Sequence, residues 1–175
     1  MFKIIMMDDS QVGKLQEIDR SEHIDLIYEM KDGQITEITT DHECSNWDKN
    51  TLLDIQERYL FELHHGGVAV GAYADHKLVG FGVLAHKFRG INNDRLQIDL
   101  MYVSKNYRRQ GIGTRIIDEL MKEALKRGAK QLYISSTETR SAVSFYKSAG
   151  SVITEEIDEE LFNKEPKDIH MIIQL

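Results

Sequence analysis

Seven consecutive residues carry the clearest chemistry in this chain: Arg108-Arg109-Gln110-Gly111-Ile112-Gly113-Thr114. Two guanidinium groups precede two glycines set one residue apart. Downstream, Ile112, Ile116, Ile117, Leu120, Met121 and Ala124 fall on one face of a helical repeat, and Arg115, Asp118, Glu119, Lys122, Glu123, Lys126 and Arg127 cover the other. The spacing predicts an amphipathic helix that opens at the glycines. Gly128 stands where a helix end favours a left-handed residue. Upstream, Gln97-Ile98-Asp99-Leu100-Met101-Tyr102-Val103 is β-branched, aromatic and apolar enough for a strand. So a strand feeds a basic Gly-x-Gly turn, and the turn opens a helix. The first N–H groups of a helix lack internal partners and carry the positive end of its dipole. Glycine has no Cβ, so an anion can come close to the backbone. The group this arrangement suits is a pyrophosphate. It is not the dinucleotide fingerprint, whose third glycine would fall on Ile116, nor a Walker loop, since no Gly-Lys-Ser/Thr follows.

Arg108-x-x-Gly111-x-Gly113, after a strand ending at Val103, resembles the acetyl-coenzyme A (acetyl-CoA) motif of the GNAT N-acetyltransferase superfamily. Ala142-x-x-Phe145-Tyr146-x-x-x-Gly150 resembles that family's late helix, which carries a tyrosine near the sulfur of coenzyme A. The resemblance covers Val68 to Leu175; residues 1–67 match loosely and are expected to shape the acceptor site. It implies an α+β fold, with a mixed, mostly antiparallel central sheet and flanking helices. It also implies acetyl-CoA as acyl donor and a primary amine, small molecule or peptide, as acceptor. The pantetheine arm would lie along Met101, Tyr102 and Val103, with a backbone N–H near Met101 facing the thioester oxygen. The pyrophosphate would sit on Arg108, Arg109, Gln110, Gly111, Ile112, Gly113 and Thr114. Two positions depart from the family pattern. Thr139 stands where an asparagine usually touches the cofactor, and Ser151 where an aromatic residue often follows Gly150.

Acetyl transfer to an amine needs a donor for the developing oxyanion, a base for the amine and an acid for the leaving thiolate. An alkyl amine with a pKa near ~10.4 is neutral in only on the order of one molecule in a thousand at pH 7. Gln97, Asp99, Met101 and Val103 share one strand face unless a bulge intervenes. The family often places a carboxylate on this strand, which makes Asp99 the candidate base. The alternative is a structural carboxylate paired with an arginine such as Arg95. Glu22, Asp25 and Glu62 are further candidates. Tyr146 is the candidate acid, because a phenol of pKa near ~10 is protonated at pH 7 and can donate to a thiolate of pKa near ~8.5; its other reading is an anchor for its helix. No residue in the motif resembles an acyl-carrying nucleophile, so direct transfer in a ternary complex is expected. Two rival readings are a non-catalytic acyl-CoA-binding or regulatory module of the same fold, and an interaction domain with no cofactor. Turnover separates the first from the enzyme, and absence of coenzyme A binding marks the second.

The remaining elements must hold these residues. At 175 residues one domain, 1–175, is expected. A net charge of −7 argues against general nucleic-acid binding and suits a cationic acceptor. No apolar run is long enough to span a bilayer, and the N-terminus shows no signal-peptide pattern, so no membrane association is expected and a cytoplasmic location is. The single cysteine, Cys44, rules out an internal disulfide framework. His64-His65 does not read as a metal pair, because adjacent helical residues point about 100° apart; no metal site is expected. Strands are predicted over residues 2–7, 68–73, 78–87, 131–135, 152–154 and 170–175, and helices over 11–18, 51–64 and 139–148. A hairpin is predicted over Ile24–Cys44 about Asp32-Gly33. Its use is open between the acceptor pocket, a strand of the main sheet and a contact in a homodimer. Residues 155–168 read as an acidic, irregular run. Only the unit from 97 to 135 demands parallel pairing.

Overall fold

The computed structural model describes residues 1–175. The chain runs β1 (Lys3–Met7), a 3-10 segment (Asp9–Glu17), β2 (Glu22–Lys31), β3 (Gln34–Cys44), α1 (Lys49–His64), β4 (Val68–Ala74), β5 (Lys77–Arg89) and β6 (Arg95–Val103). It continues with α2 (Ile112–Lys126), β7 (Gln131–Ser136), α3 (Arg140–Ser148), β8 (Val152–Ile153), α4 (Glu159–Lys164) and β9 (Ile169–Gln174). Seven strands form one mixed sheet, ordered β1-β4-β5-β6-β7-β9-β8. Every neighbouring pair is antiparallel except β6 and β7, the pair joined through α2. The architecture is the expected α+β one. No helix is long and apolar enough to cross a membrane.

The sheet has a separate core on each face. On one face Ile112, Ile116 and Leu120 of α2 and Val143 and Tyr146 of α3 pack against Leu96, Ile98, Leu132 and Ile134. On the other, Ile55 and Tyr59 of α1 and Leu15 of the 3-10 segment pack against Phe81 and Leu100. α2 lies close to β5 because Gly80 and Gly82 present no side chain to it. A Cβ at Gly82 would stand 2.8 Å from Ile116 Cγ2 and 2.9 Å from Leu120 Cδ1.

Two irregularities of the sheet create the site. First, β6 and β7 pair only at Arg95–Gln131, Leu96–Leu132 and Gln97–Tyr133. Beyond these, β6 stays with β5 as far as Val103, while β7 stays with β9 as far as Ser136. A wedge therefore opens between the second half of β6 and the end of β7. Second, Val83 pairs with Leu100 but Leu84 pairs with Ile98, so Asp99 is an extra residue in a β-bulge. The bulge reverses the alternation. Ile98, Met101 and Val103 face the α2 core, and Leu100 and Tyr102 face the α1 core. The unbroken parity expected for Gln97, Asp99, Met101 and Val103 is thereby corrected: Asp99 turns to the α1 side, where Arg58 binds it.

β2 and β3 form the expected hairpin as a two-stranded sheet of their own, turning through Asp32 and Gly33 at φ 52° and 77°. The hairpin is not a strand of the main sheet. It is held over the end of β7 and the start of α3 by a 2.7 Å bond from Tyr28 N–H to the Glu138 carbonyl and a bridge between Ile27 and Thr139. The run 155–168 is not wholly irregular: it contains α4, capped by the Asp158 carboxylate on the Leu161 N–H at 3.0 Å. At six residues α4 is too short to show a helical period in sequence.

Candidate active site

The basic turn is built for an anion. Gly111 adopts φ 81° as the residue before α2, and Arg109 adopts φ 61°. Glycine occupies this left-handed geometry at no steric cost. The N–H groups of Gly111, Ile112, Gly113 and Thr114 donate to nothing within the protein, so four donors and the positive helix end face one concavity. The two glycines have different reasons. Beside Gly111 a Cβ would meet open space, whereas at Gly113 it would stand 2.8 Å from Phe145 Cε1. Gly111 serves the turn and Gly113 lets α3 close on α2. The arginines also divide the work. Arg108 Nε donates to the Val103 carbonyl at 2.9 Å, and its Nη1 donates to the Ser21 carbonyl at 3.1 Å, so this guanidinium mainly locks the turn. Arg109 forms no such bonds and remains available.

This turn forms the floor of a groove of about 930 Å³. Met101, Tyr102 and Val103 line one wall, together with Arg108, Arg109, Gly111, Ile112, Gly113 and Thr114. Thr139, Ser141 and Phe145 line another, and the hairpin adds Glu22, His23, Ile24 and Leu26. Gln110 does not line it; its Nε2 donates to the Asn106 carbonyl at 3.4 Å. Thr139 Oγ1 accepts from the Ala142 N–H at 3.3 Å and so caps α3. The edge of β6 that β7 abandons is tied by arginines at two points. The Asp99 carbonyl accepts from Arg58 and the Val103 carbonyl from Arg108. Met101 lies between them in the chain, on the same face as Val103.

The sequence matches the model of the Acetyltransferase (GNAT) family over residues 33–150. The chain belongs to the GNAT family of acetyltransferases. A search of curated protein sequences finds no match. Solved GNAT-type structures share the whole fold. A nourseothricin acetyltransferase aligns with TM-score 0.74 and 17% identity over 99% of this chain and 98% of its own. A Bacillus anthracis protein described as a streptothricin acetyltransferase, solved with acetyl-CoA, aligns with TM-score 0.73 and 18% identity over 100% and 99%. A PaiA N-acetyltransferase from Thermoplasma acidophilum, solved with coenzyme A, gives 0.65 and 17% over 100% and 99%. At such identities the likeness is one of fold.

In this GNAT chain Tyr146 sits behind the groove wall, in the core between α3, α2 and the sheet. Burial pushes its phenol up, and the fields of Tyr102 and Asp168 push the same way. Its hydroxyl has no hydrogen bond in the protein to oppose this. Asp99 does not share the groove. Its Oδ1 accepts from Arg58 Nη2 at 3.0 Å and its side chain is 10% exposed, so its partner is Arg58 and not Arg95. Arg95 instead binds Gln131 at 2.6 Å and Glu156.

The other candidate carboxylates divide among structural tasks. Glu62 accepts from the His86 N–H at 2.8 Å and pairs with its ring at 2.7 Å, holding the bulged part of β5. Glu22 accepts from Ser141 Oγ at 3.0 Å and lies 3.5 Å from Arg108, tying the hairpin across the groove. Asp25 lies 3.5 Å from Arg140. Sequence reasoning missed Asp168, which was placed in an irregular run. Its Oδ2 accepts from Ser135 Oγ at 2.7 Å. Burial pushes its carboxyl up to about 6, with Glu165 and Glu138 adding to the rise and Ser135 and Arg58 opposing it. Little in the local sequence marks it, because apart from Glu165 its surroundings come from α1, β7 and the loop after β7.

Proposed function

We propose that this chain transfers an acetyl group from acetyl-CoA to a positively charged primary amine, by direct transfer in a ternary complex. The observation that carries this reading is the groove: four unpartnered N–H groups and Arg109 at one end, and the free edge of β6 at Met101 to Val103 along one wall, with the buried Tyr146 behind the opposite wall. The groove volume and the glycine turn suit a long, anionic thioester carrier. Two neighbours of the same fold were solved with acetyl-CoA or coenzyme A, and the names of two give nourseothricin and streptothricin as acceptors.

When bound, acetyl-CoA supplies an acyl group activated as a thioester. The residues do the rest. Gly111 to Thr114 and Arg109 hold the pyrophosphate, while Arg108 keeps the turn in shape. The β6 edge around Met101 binds the pantetheine arm by backbone bonds and directs an N–H at the oxygen where charge develops. Tyr146 gives a proton to the departing sulfur. Its raised phenol is matched by the site, because the same burial makes a thiolate there a stronger base. Asp99 fixes Arg58 at the rim of the wedge on the acceptor side. The acidic character of the chain favours a cationic acceptor.

The test is release of free thiol from acetyl-CoA with a panel of amines: nourseothricin, spermidine, L-lysine and a short alanyl peptide. Acetyl-CoA-dependent release with any of them, above hydrolysis, is the expected result. Coenzyme A binding with no release across the panel would support the binding-module reading instead. Absence of coenzyme A binding would overturn the groove assignment itself.

A further inference from the structure

Resting on the acetyl-transfer reading, we infer that Asp168 is the group that takes the proton from the attacking amine, facing Tyr146 across the wedge from the acceptor side. The backbone places it there. β7 leaves β6 after Tyr133 but stays paired with β9 through Ser135–His170 and Ser136–Ile169. Asp168 immediately precedes Ile169, so it stands at the outer end of this strand pair. β7 stands between it and β6 in the sheet, and Ser135 of β7 holds it beside the end of the gap. Tyr133 and Ile172 pack with Leu161, away from the α2 core that holds Leu132 and Ile134. Ser135 alternates with Ile134, so it and the carboxylate it anchors belong to the side opposite α2. The cofactor groove is on the α2 and α3 side, and the acid and the base therefore approach the reacting centre from opposite faces of the sheet.

The carboxylate is prepared for proton transfer. Ser135 holds Oδ2, while Oδ1 has no protein partner. The charged and titratable groups around it are Glu165 after α4, Glu138 after β7, Arg58 of α1, Tyr102 of β6 and Tyr146 of α3. Burial and the two glutamates bring its carboxyl to about 6. Such a group is ionised at pH 7 yet takes a proton more readily than an ordinary carboxylate. Asp99, by contrast, has Oδ1 engaged by Arg58.

The protons balance as follows. Asp168 takes one proton from R–NH3⁺, leaving R–NH2. The nitrogen lone pair forms the C–N bond, the C–S bond breaks, and its electron pair goes to sulfur. Tyr146 gives its proton to that sulfur, and the second proton leaving nitrogen restores the phenol. Asp168 releases its proton to water, so one proton appears per turnover.

The experiment compares wild type, Asp168→Asn and Ser135→Ala, using whichever amine of the panel above turns over fastest. Wild type is expected to show a rising limb in kcat/KM for the amine, centred near pH 6. Asp168→Asn should lose that limb and fall about 10²-fold or more at pH 7, with partial recovery at high pH. Its affinity for coenzyme A, measured by calorimetry, should be unchanged. Ser135→Ala removes a bond that favours the charged form, so its limb should move to higher pH. A wild-type rate and limb in Asp168→Asn would overturn the assignment, as would an unmoved limb in Ser135→Ala. If wild type turns over no amine, the acetyl-transfer reading falls first and takes this one with it. Turnover by wild type with an unaffected Asp168→Asn would defeat the base assignment alone.

Discussion

Replacing Gly82 by alanine tests how α2, and with it the anion turn, is seated on the sheet. The new Cβ would stand 2.8 Å from Ile116 Cγ2, 2.9 Å from Leu120 Cδ1 and 3.0 Å from Met101 Sδ. Real Cβ contacts are rarely closer than 3.4 Å, so these neighbours must retreat by roughly half an ångström. Leu120 and Met101 can swing away, because their contact atoms lie at the ends of flexible chains. Ile116 cannot: its methyl branches from Cβ, and in a helix a β-branched residue has one strongly preferred rotamer. The helix itself must move. Overpacking of this kind costs about 1–3 kcal/mol. For a protein of this size each kcal/mol lowers the melting temperature by about 2–4 °C, so a loss of roughly 2–12 °C is expected. The N–H groups of Gly111 to Thr114 ride on the same helix, so calorimetric affinity for acetyl-CoA should fall several-fold. Ile116→Leu moves the branch one carbon outward and by itself should cost less than about 1.5 kcal/mol. In the double variant the two changes should partly cancel, with a coupling of at least about 0.5 kcal/mol. A Gly82→Ala protein that melts within about 1 °C of wild type, with no coupling to position 116, would refute this account of the close approach.

Gly111→Val places a β-branched side chain on a backbone at φ 81° and into the open space where an anion would lie. Strain of about 1–2 kcal/mol and more than tenfold weaker coenzyme A binding, or ~1.4 kcal/mol, are expected; wild-type affinity in the folded variant removes the phosphate role. Tyr146→Phe should lower kcat by roughly 10²–10⁴ with little change in KM for acetyl-CoA. Melting should be unchanged, since the hydroxyl has no protein hydrogen bond to lose; near-normal turnover would remove the acid. For stability, Asp168 has its folded carboxyl at about 6, above the ordinary 3.8. The folded state therefore holds the proton more strongly, and stability falls as pH rises from about 4 through 6. A gap of about two pH values corresponds to about 3 kcal/mol, which contact with water reduces to about 1 kcal/mol. Asp168→Asn should thus melt about 2–4 °C above wild type at pH 7.5 and converge with it near pH 4; a pH-independent offset would contradict the burial of this charge.

Local signals in the sequence determined the strand–turn–helix from Gln97 to Gly128, the hairpin about Asp32-Gly33, the helix over residues 51–64 and the single parallel pair. Each depends on residues within a turn or two of one another, where periodicity, glycine and capping side chains act directly. The anion turn was legible for the same reason: its four donors belong to consecutive residues. Tertiary structure alone decided the rest. The bulge at Asp99 arises from the register between β5 and β6, and it sent that carboxylate to Arg58, 41 residues away in the chain. Gly113 looked like room for an anion but is room for Phe145, a contact between two helices. Arg108 looked free but is consumed by the Val103 and Ser21 carbonyls. The wedge exists because β7 follows β9 and not β6, and it is this divergence that gives Asp168 its place. A carboxylate's chemistry depends on what surrounds it in space, and around Asp168 most of those groups, on α1, α3, β6, β7 and the loop after β7, meet it only when the sheet closes.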